Sequence, residues 1–297
     1  MKCLVTGGAG FIGSNLVDRL IGDGHSVIVI DNLSTGRRSN VNPAAKFYKL
    51  DIEKNHHQLF RGVDWVFHLA ARPRIQFAAK FPVEADIANV HGTVQVLAAA
   101  VRHKVKRFIY SSSSSVYGRY PWMANEESSI PKPVNLYGYQ KWAAEQYCWM
   151  FRDLYGLSVI ALRYFNVYGP RMTSDGYGTV IGKFLEAKRL KKAMIIDGDG
   201  EQRRDFTHVS DVVEANILAA QSSLEMPLNI GSGDPASINQ VAAAIGGKKR
   251  HIKDRPGDVR QTFADNGFAR EFLNWRPQVT LAQGLTDLKK SWNIINN

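Results

Sequence analysis

The stretch KCLVTGGAGFIGSNLVDRLIGDGHSVIVIDNLSTG, Lys2 to Gly36, decides the fold. KCLVT is a short apolar run of strand formers. FIGSNLVDRLIG carries helical spacing, and SVIVI is a second strand that ends at Asp31. Between the first strand and the helix stand Gly7, Gly10 and Gly13, spaced G-x-x-G-x-x-G rather than the commoner G-x-G-x-x-G. A glycine turn lets the backbone approach a pyrophosphate. Phe11 and Ile12 then open a helix whose free N–H groups and positive end suit that anion. Asp31 lies 21 residues after Gly10, near the roughly 20 expected for the acid that binds the adenosine ribose hydroxyls. Glycines also close ordinary turns, and an Asp at a strand end can merely cap one. The order strand, glycine loop, helix, strand, acid favours a dinucleotide. A carboxylate at 31 repels a 2′-phosphate, which selects NAD over NADP, while Arg37 and Arg38 keep NADP open as the minority reading.

Outward from this unit, KFYKL, WVFHLA, RFIYS and SVIALRY are further apolar strand runs, and helical segments fall at about 81–103 and 137–155. Near-continuous apolar strands separated by helices predict a parallel sheet covered on both faces. The fold class is therefore α/β, a doubly wound parallel sheet of the Rossmann type. After RYFNVYGP the texture changes to longer loops rich in Gly, Asp and Pro. The expected division is a cofactor-binding domain over 1–165 and a smaller substrate-binding region over 166–297, with some interleaving of the chain.

The 297 residues are 44% hydrophobic and 22% charged, ordinary values for a globular chain with a large core. The net charge of +11 is spread out, with small clusters at GRR, KRLKK and KKRHIKDR. There is no basic arm, zinc-finger pattern or RNA-binding signature, so dispersed charge plus an anion site is expected and nucleic acid is not. No apolar run approaches the roughly 18 residues needed to span a membrane. Two cysteines, Cys3 and Cys148, make no disulfide framework and are expected as buried thiols in the cytoplasm. His68 and His208 lack metal-ligand spacing, and no metal is expected.

The run RFIYSSSSSVYG, Arg107 to Gly118, places five serines where a strand ends. In open α/β sheets that edge is where ligands bind. NLYGYQKWAAEQY supplies Tyr137 and Lys141, four residues apart and so on one helix face. An ammonium near a phenol lowers the phenol pKa from about 10 toward neutrality, and such a tyrosine can accept a proton from a sugar hydroxyl. Tyr and Lys also share helix faces by chance, so this pair alone is weak evidence.

TGGAGFIGS, DNLSTG, SSSSSVYG, YGYQK, LRYFNVYGPR, GDGEQRRDFTHVSDVV and PGDVRQTFAD occur in that order. Together they resemble the extended short-chain dehydrogenase/reductase family and, within it, the UDP-galactose 4-epimerase group, over nearly the whole chain. The resemblance implies Ser113, Tyr137 and Lys141 as the catalytic set. It implies NAD contacts from Asn32, Ser34, Thr35 and Gly36 at the adenosine ribose and phosphate, and from Asp51 and Ile52 beside the adenine. Leu69, Ala70 and Ala71 would line the cofactor, with further contacts from Asn89, Ser111 and Lys141. A UDP-sugar would meet Ser112, Ser113 and Asn166, with Arg204 and Arg255 on its diphosphate and Thr179, Val180 and Phe184 as the uracil-side wall. The last three equally suit an ordinary helix core. The implied reaction is epimerisation at C4 through a transient 4-keto sugar, in a homodimer built on the helices at 81–103 and 137–155.

Two departures bear on chemistry. Related 4,6-dehydratases carry an Asp-Glu pair where this chain has Ser114 and Ser115, and UDP-glucuronate decarboxylases keep a Glu at the second place. A smaller one is Gln140, where relatives often have Ser or Thr, and little consequence is expected. Thr262 stands where the group sets room for the C2 substituent, and its modest size implies acceptance of UDP-N-acetylhexosamines beside UDP-glucose and UDP-galactose. A UDP-glucuronate epimerase, a non-catalytic NAD-binding regulator and an RNA-binding relative are the competing readings.

Overall fold

The computed structural model describes residues 1–118, 126–174, 178–253 and 259–294. From the N-terminus run β1 (Lys2–Thr6), α1 (Phe11–Gly22), β2 (Ser26–Asp31), β3 (Lys46–Lys49) and β4 (Trp65–His68). Two short helices, α2 (Ile75–Lys80) and α3 (Pro82–Asp86), lead through a π-helical turn at Ile87–His91 into α4 (Gly92–Arg102). Then follow β5 (Arg107–Ser113), a 3-10 turn at Ser114–Val116, α5 (Leu136–Tyr155), β6 (Val159–Tyr164) and β7 (Val167–Tyr168). The chain continues with α6 (Val180–Arg189), β8 (Met194–Asp197), β9 (Arg203–Asp205), β10 (Thr207–His208), α7 (Val209–Gln221), β11 (Pro227–Ile230) and β12 (Pro235–Ser237). It ends with α8 (Ile238–Ile245), β13 (Lys249–Ile252), β14 (Gln261–Thr262), α9 (Gly267–Phe272) and α10 (Leu281–Ser291).

Seven strands form one parallel sheet in the order β11-β6-β5-β4-β1-β2-β3. The six apolar runs are its first six strands. For five of them composition follows from burial on both faces: Cys3 and Val5 pack toward α1 and α7, while Leu4 packs toward α4 and α5; β3, at the sheet edge, is half exposed. From 166 onward the chain supplies α7 and β11 to this same sheet. A separate core of Ile181, Phe184, Leu185, Met194, Val241 and Leu285 holds the C-terminal elements. The helix expected over 81–103 is three pieces, because Pro82 starts a new helix and the π turn interrupts it. Among the described residues no helix is long and apolar enough to cross a membrane.

Strand order reverses between β1 and β4, where Thr6 pairs with His68. The crevice outside the C-terminal ends of these strands is the ligand site of open α/β sheets. The glycine loop, the serine run and Asp31 all leave the sheet at this edge.

Candidate active site

The glycine loop is shaped by close backbone approach. Gly7 has φ 73°, and a Cβ there would lie 2.7 Å from the Ala70 nitrogen. At Gly13 a Cβ would meet the Gly7 carbonyl oxygen at 2.2 Å. Gly10 caps α1 without a side-chain hydrogen bond, so the helix presents its N-terminus toward the crevice. Gly36 packs on Ala9, which draws the DNLSTG loop over the glycine turn. Asp31 is buried at the end of β2, and its carboxylate accepts the N–H groups of Ala9 (3.0 Å) and Leu33 (2.8 Å). Burial pushes this carboxyl up, and the two backbone donors oppose it. Asn32 donates to Asp51 and accepts from the Ser34 nitrogen at 2.9 Å, while Ile52 lies against Gly92 at the start of α4. Thr35 is exposed, and Leu69, Ala70 and Ala71 are half-buried at the end of β4. Asn89 differs from its expected part: it is buried, and its amide is engaged by the Arg72 backbone and Gln140.

The serine run divides between strand and turn. Ser111, Ser112 and Ser113 end β5, and Ser114 and Ser115 form the 3-10 turn. Ser111 points its hydroxyl at Tyr164 (3.1 Å), so only its carbonyl faces the Lys141 side. Ser112 is buried, and its hydroxyl has no hydrogen-bond partner among the described residues. The Ser113 hydroxyl donates to Ser115 Oγ and accepts from the Ser115 nitrogen, both at 3.2 Å, and it lies beside the Tyr137 phenol. Asn135 caps α5 through the Gly138 nitrogen at 2.9 Å, which fixes Tyr137 in the first turn.

The electrostatics depart from expectation. Burial pushes the Tyr137 phenol up, and the nearby Ser113 hydroxyl works against it. Burial pulls Lys141 down to about 8, with Cys148 and Glu145 acting in the other direction. The Lys141 ammonium donates to the Ser111 carbonyl at 2.7 Å and sits 4.9 Å from the centre of the Tyr110 ring. The lysine is thus spent on neighbours other than the phenol, and the expected lowering toward neutrality gives way to desolvation.

On the substrate side, Ser113 pairs across the sheet with Tyr164, and Asn166 follows two residues later. The Asn166 amide donates to the Asp205 carbonyl (3.1 Å) and the Thr262 hydroxyl (3.2 Å). Thr262 pairs in turn with Arg204. Ser113, Asn166, Thr262 and Arg204 therefore lie along one connected edge. Arg255 lies outside the described residues. Thr179 caps α6 through the Gly182 nitrogen at 3.2 Å, and Val180 is half-buried behind it. Phe184 is 2% exposed in the C-terminal core, where helix packing, not an open wall, accounts for it. No group of three His, Cys, Asp or Glu side chains among the described residues is arranged to hold a metal ion.

Residues 3–231 match the family described as the NAD dependent epimerase/dehydratase family. The chain belongs to this family. A putative UDP-glucose 4-epimerase of Methanocaldococcus jannaschii is 36% identical over 304 residues, covering 99% of both chains. The solved UDP-glucose 4-epimerase of Thermotoga maritima with UDP-glucose superimposes with a TM-score of 0.95 at 38% identity, covering 99% of this chain and 98% of that one. The UDP-N-acetylglucosamine 4-epimerase of Methanobrevibacter ruminantium, in complex with UDP-N-acetylmuramic acid, gives 0.94 at 35% identity, over 99% of this chain and 98% of that one. Other similar chains are named as decarboxylases acting on UDP-glucuronic acid or as a UDP-glucuronate 4-epimerase.

Like the rest of the NAD-dependent epimerase/dehydratase family, the chain uses NAD. The crevice fits it: the glycines leave a cradle that a Cβ at Gly7 or Gly13 would fill, the end of α1 has no side-chain cap and is suited to an anion, and Asp31 stands at the neighbouring strand end. Sequence reasoning missed Asp205, whose fully buried carboxylate gathers Ser232 N and Oγ (both 2.7 Å), Gly233 N (2.9 Å) and Ala264 N (3.0 Å). Its only sequence signal is its place beside Arg204. Also missed were Arg163 and Glu145, a buried bidentate pair behind Lys141.

Proposed function

We propose that the chain interconverts the C4 epimers of a UDP-hexose and accepts UDP-N-acetylhexosamines as well as UDP-glucose and UDP-galactose. The observation that carries this reading is the placement of Ser113 at the end of β5 beside Tyr137 in the first turn of α5, with Lys141 one helical turn on. Tyr137 takes the proton of the sugar 4-OH, and Ser113 bridges the two. The NAD, when bound, supplies reversible hydride acceptance, so a C–H bond broken on one face of the sugar can be remade on the other. Lys141, on the same helix face, holds the nicotinamide ribose. Arg204, with Arg255, neutralises the diphosphate, and Asn166 orients it. Elimination of water or of carbon dioxide is disfavoured, because Ser114 and Ser115 stand where those reactions use carboxylates.

The reading extends to assembly. Val83, Ile87, Leu136, Tyr139, Tyr147, Met150 and Leu154 are exposed on α3, the π turn and α5, beside an apolar groove of about 360 Å³. This supports a homodimer closed by helices of both copies. Both cysteines are buried free thiols, which supports a cytoplasmic location.

The test is proton NMR of purified protein with NAD and, separately, UDP-glucose, UDP-N-acetylglucosamine and UDP-glucuronate. The expected result is the 4-epimer of the first two. Formation of the glucuronate epimer alone would transfer the assignment to UDP-glucuronate. No 4-epimer from any of the three would defeat it.

A further inference from the structure

A chain of hydrogen bonds runs from the glycine-loop strand to α5, and counting its protons fixes every donor. The Thr93 hydroxyl donates to the Asn89 carbonyl at 2.7 Å, so it can only accept from His68 Nε2 at 2.9 Å. His68 therefore carries its proton on Nε2, and its Nδ1 accepts from the Thr6 hydroxyl at 2.7 Å. Thr6 Oγ1 accepts in turn from the Ala70 nitrogen at 3.2 Å. At the other end, Asn89 Oδ1 accepts the Arg72 N–H at 2.7 Å, and Nδ2 donates to Gln140 Oε1 at 2.9 Å and to the Arg72 carbonyl at 3.3 Å. Asn89 is 1% exposed, His68 1% and Gln140 5%, so water cannot replace a lost partner here.

The backbone that this chain fixes is the loop Leu69–Arg72 at the β1/β4 crevice, the NAD site of the family. Its far anchor is Gln140, which precedes Lys141 and lies three residues after Tyr137. The π turn at Ile87–His91 brings Asn89 to that anchor, and such turns recur at functional sites. Ser or Thr at 140 would be too short to meet Asn89. The departure that the sequence reading sets aside as minor is thus a buried contact. We propose that Gln140 is a positioning residue for NAD: it holds Asn89, and through it the Arg72 backbone, in register with the helix that carries Tyr137 and Lys141. The inference rests on the NAD site and does not depend on which sugar is used.

The test compares Gln140→Met, of similar shape but without an acceptor, with Gln140→Glu, whose protonated carboxyl keeps an acceptor for Asn89 and a donor for the Pro82 carbonyl. NAD affinity of stripped protein is measured by titration, and hydrogen exchange is measured on the NAD-free protein. In Gln140→Met the NAD Kd should rise about tenfold or more, since a buried donor loses its acceptor. Exchange should quicken in peptides spanning 69–74 and 87–92, while β2 and β6 keep wild-type rates. Titrated at about pH 5.5, where burial keeps that carboxyl protonated, Gln140→Glu should stay within about threefold of wild-type affinity. Unchanged affinity and exchange in Gln140→Met would overturn the proposal. So would faster exchange across the whole sheet, or an equal loss in Gln140→Glu. Should Gln140→Met not fold, Gln140→Asn, polar but too short to reach Asn89, is read by the same outcomes.

Discussion

Replacing Arg163 by methionine should be among the most damaging single changes outside the redox site. Arg163 on β6 meets Glu145 on α5 through two N–H···O bonds of 3.0 and 2.9 Å. Its third contact is the Tyr117 hydroxyl at 2.8 Å, and its guanidinium lies 4.9 Å from the centre of that ring. The side chains are 4% and 0% exposed. Methionine fills the volume but leaves Glu145 as an uncompensated buried carboxylate, and breaking such a pair costs about 3–5 kcal/mol. The geometry places the cost toward the upper end, because both carboxylate oxygens lose a donor and no solvent reaches them. In Arg163→Met/Glu145→Leu no charge is left behind, so most of the loss should be recovered, to within about 1–2 kcal/mol of wild type. Urea unfolding followed by tryptophan fluorescence measures all three proteins. A loss below about 1 kcal/mol in the single variant, or a double variant no better than the single, refutes the reasoning.

Tyr137→Phe should lower turnover by about 10²–10⁴-fold while NAD affinity stays near wild type, because a proton acceptor is removed and the fold is not; steady-state kinetics and an NAD titration check both. Asp31→Ala should weaken NAD and relax discrimination against NADP; a wild type that already prefers NADP in a binding titration would shift the adenosine reading to Arg37 and Arg38. His68 is held at about 3 against its ordinary 6.5 by burial, with Lys141 adding to the effect. The unfolded chain takes up this proton below about pH 6.5 and the folded chain does not, so the stability present above that pH is lost as pH falls toward 3, by about 1.4 kcal/mol per unit. Urea unfolding at pH 7 and pH 5 should therefore differ by about 2 kcal/mol more in wild type than in His68→Gln.

The sheet was legible because most of its strands are buried on both faces and so write themselves as apolar runs. β11 was not: Pro-Leu-Asn-Ile is short, begins with proline and carries a buried Asn229. Asn229 is tolerated there because it accepts from Tyr117 at 2.7 Å and donates to the Asp265 carbonyl at 2.9 Å, contacts 112 and 36 residues away in the chain. The glycine loop and Asp31 were legible because cofactor geometry acts on a contiguous stretch. The clasp of Asn89 on Gln140 spans 51 residues, and nothing in the spacing of either residue announces it. The same limit applies to Lys141. Four-residue spacing puts it on the Tyr137 face, yet the carbonyl that captures its ammonium belongs to Ser111, 30 residues away.

The proposed acceptance of N-acetylated sugars turns on Thr262. A size argument alone makes the small residue a door for the acetamido group at C2. The structure adds that the Thr262 hydroxyl accepts the Asn166 amide at 3.2 Å, so the residue is also a strut. Two variants separate the effects. Thr262→Tyr fills the space, and overpacking of about 1–3 kcal/mol lowers kcat/KM for N-acetylated sugars by roughly 5- to 150-fold relative to plain hexoses. Thr262→Val keeps the volume and removes the acceptor, which should lower kcat/KM for both sugar types by a similar factor of about 2–10 and leave their ratio unchanged. The ratio of kcat/KM for UDP-N-acetylglucosamine and UDP-glucose is measured on all three proteins. A wild type that ignores the N-acetylated sugar, or a Tyr variant that keeps it, removes Thr262 as the gate. If Val shifts the ratio as Tyr does, the Asn166 contact rather than volume sets the choice.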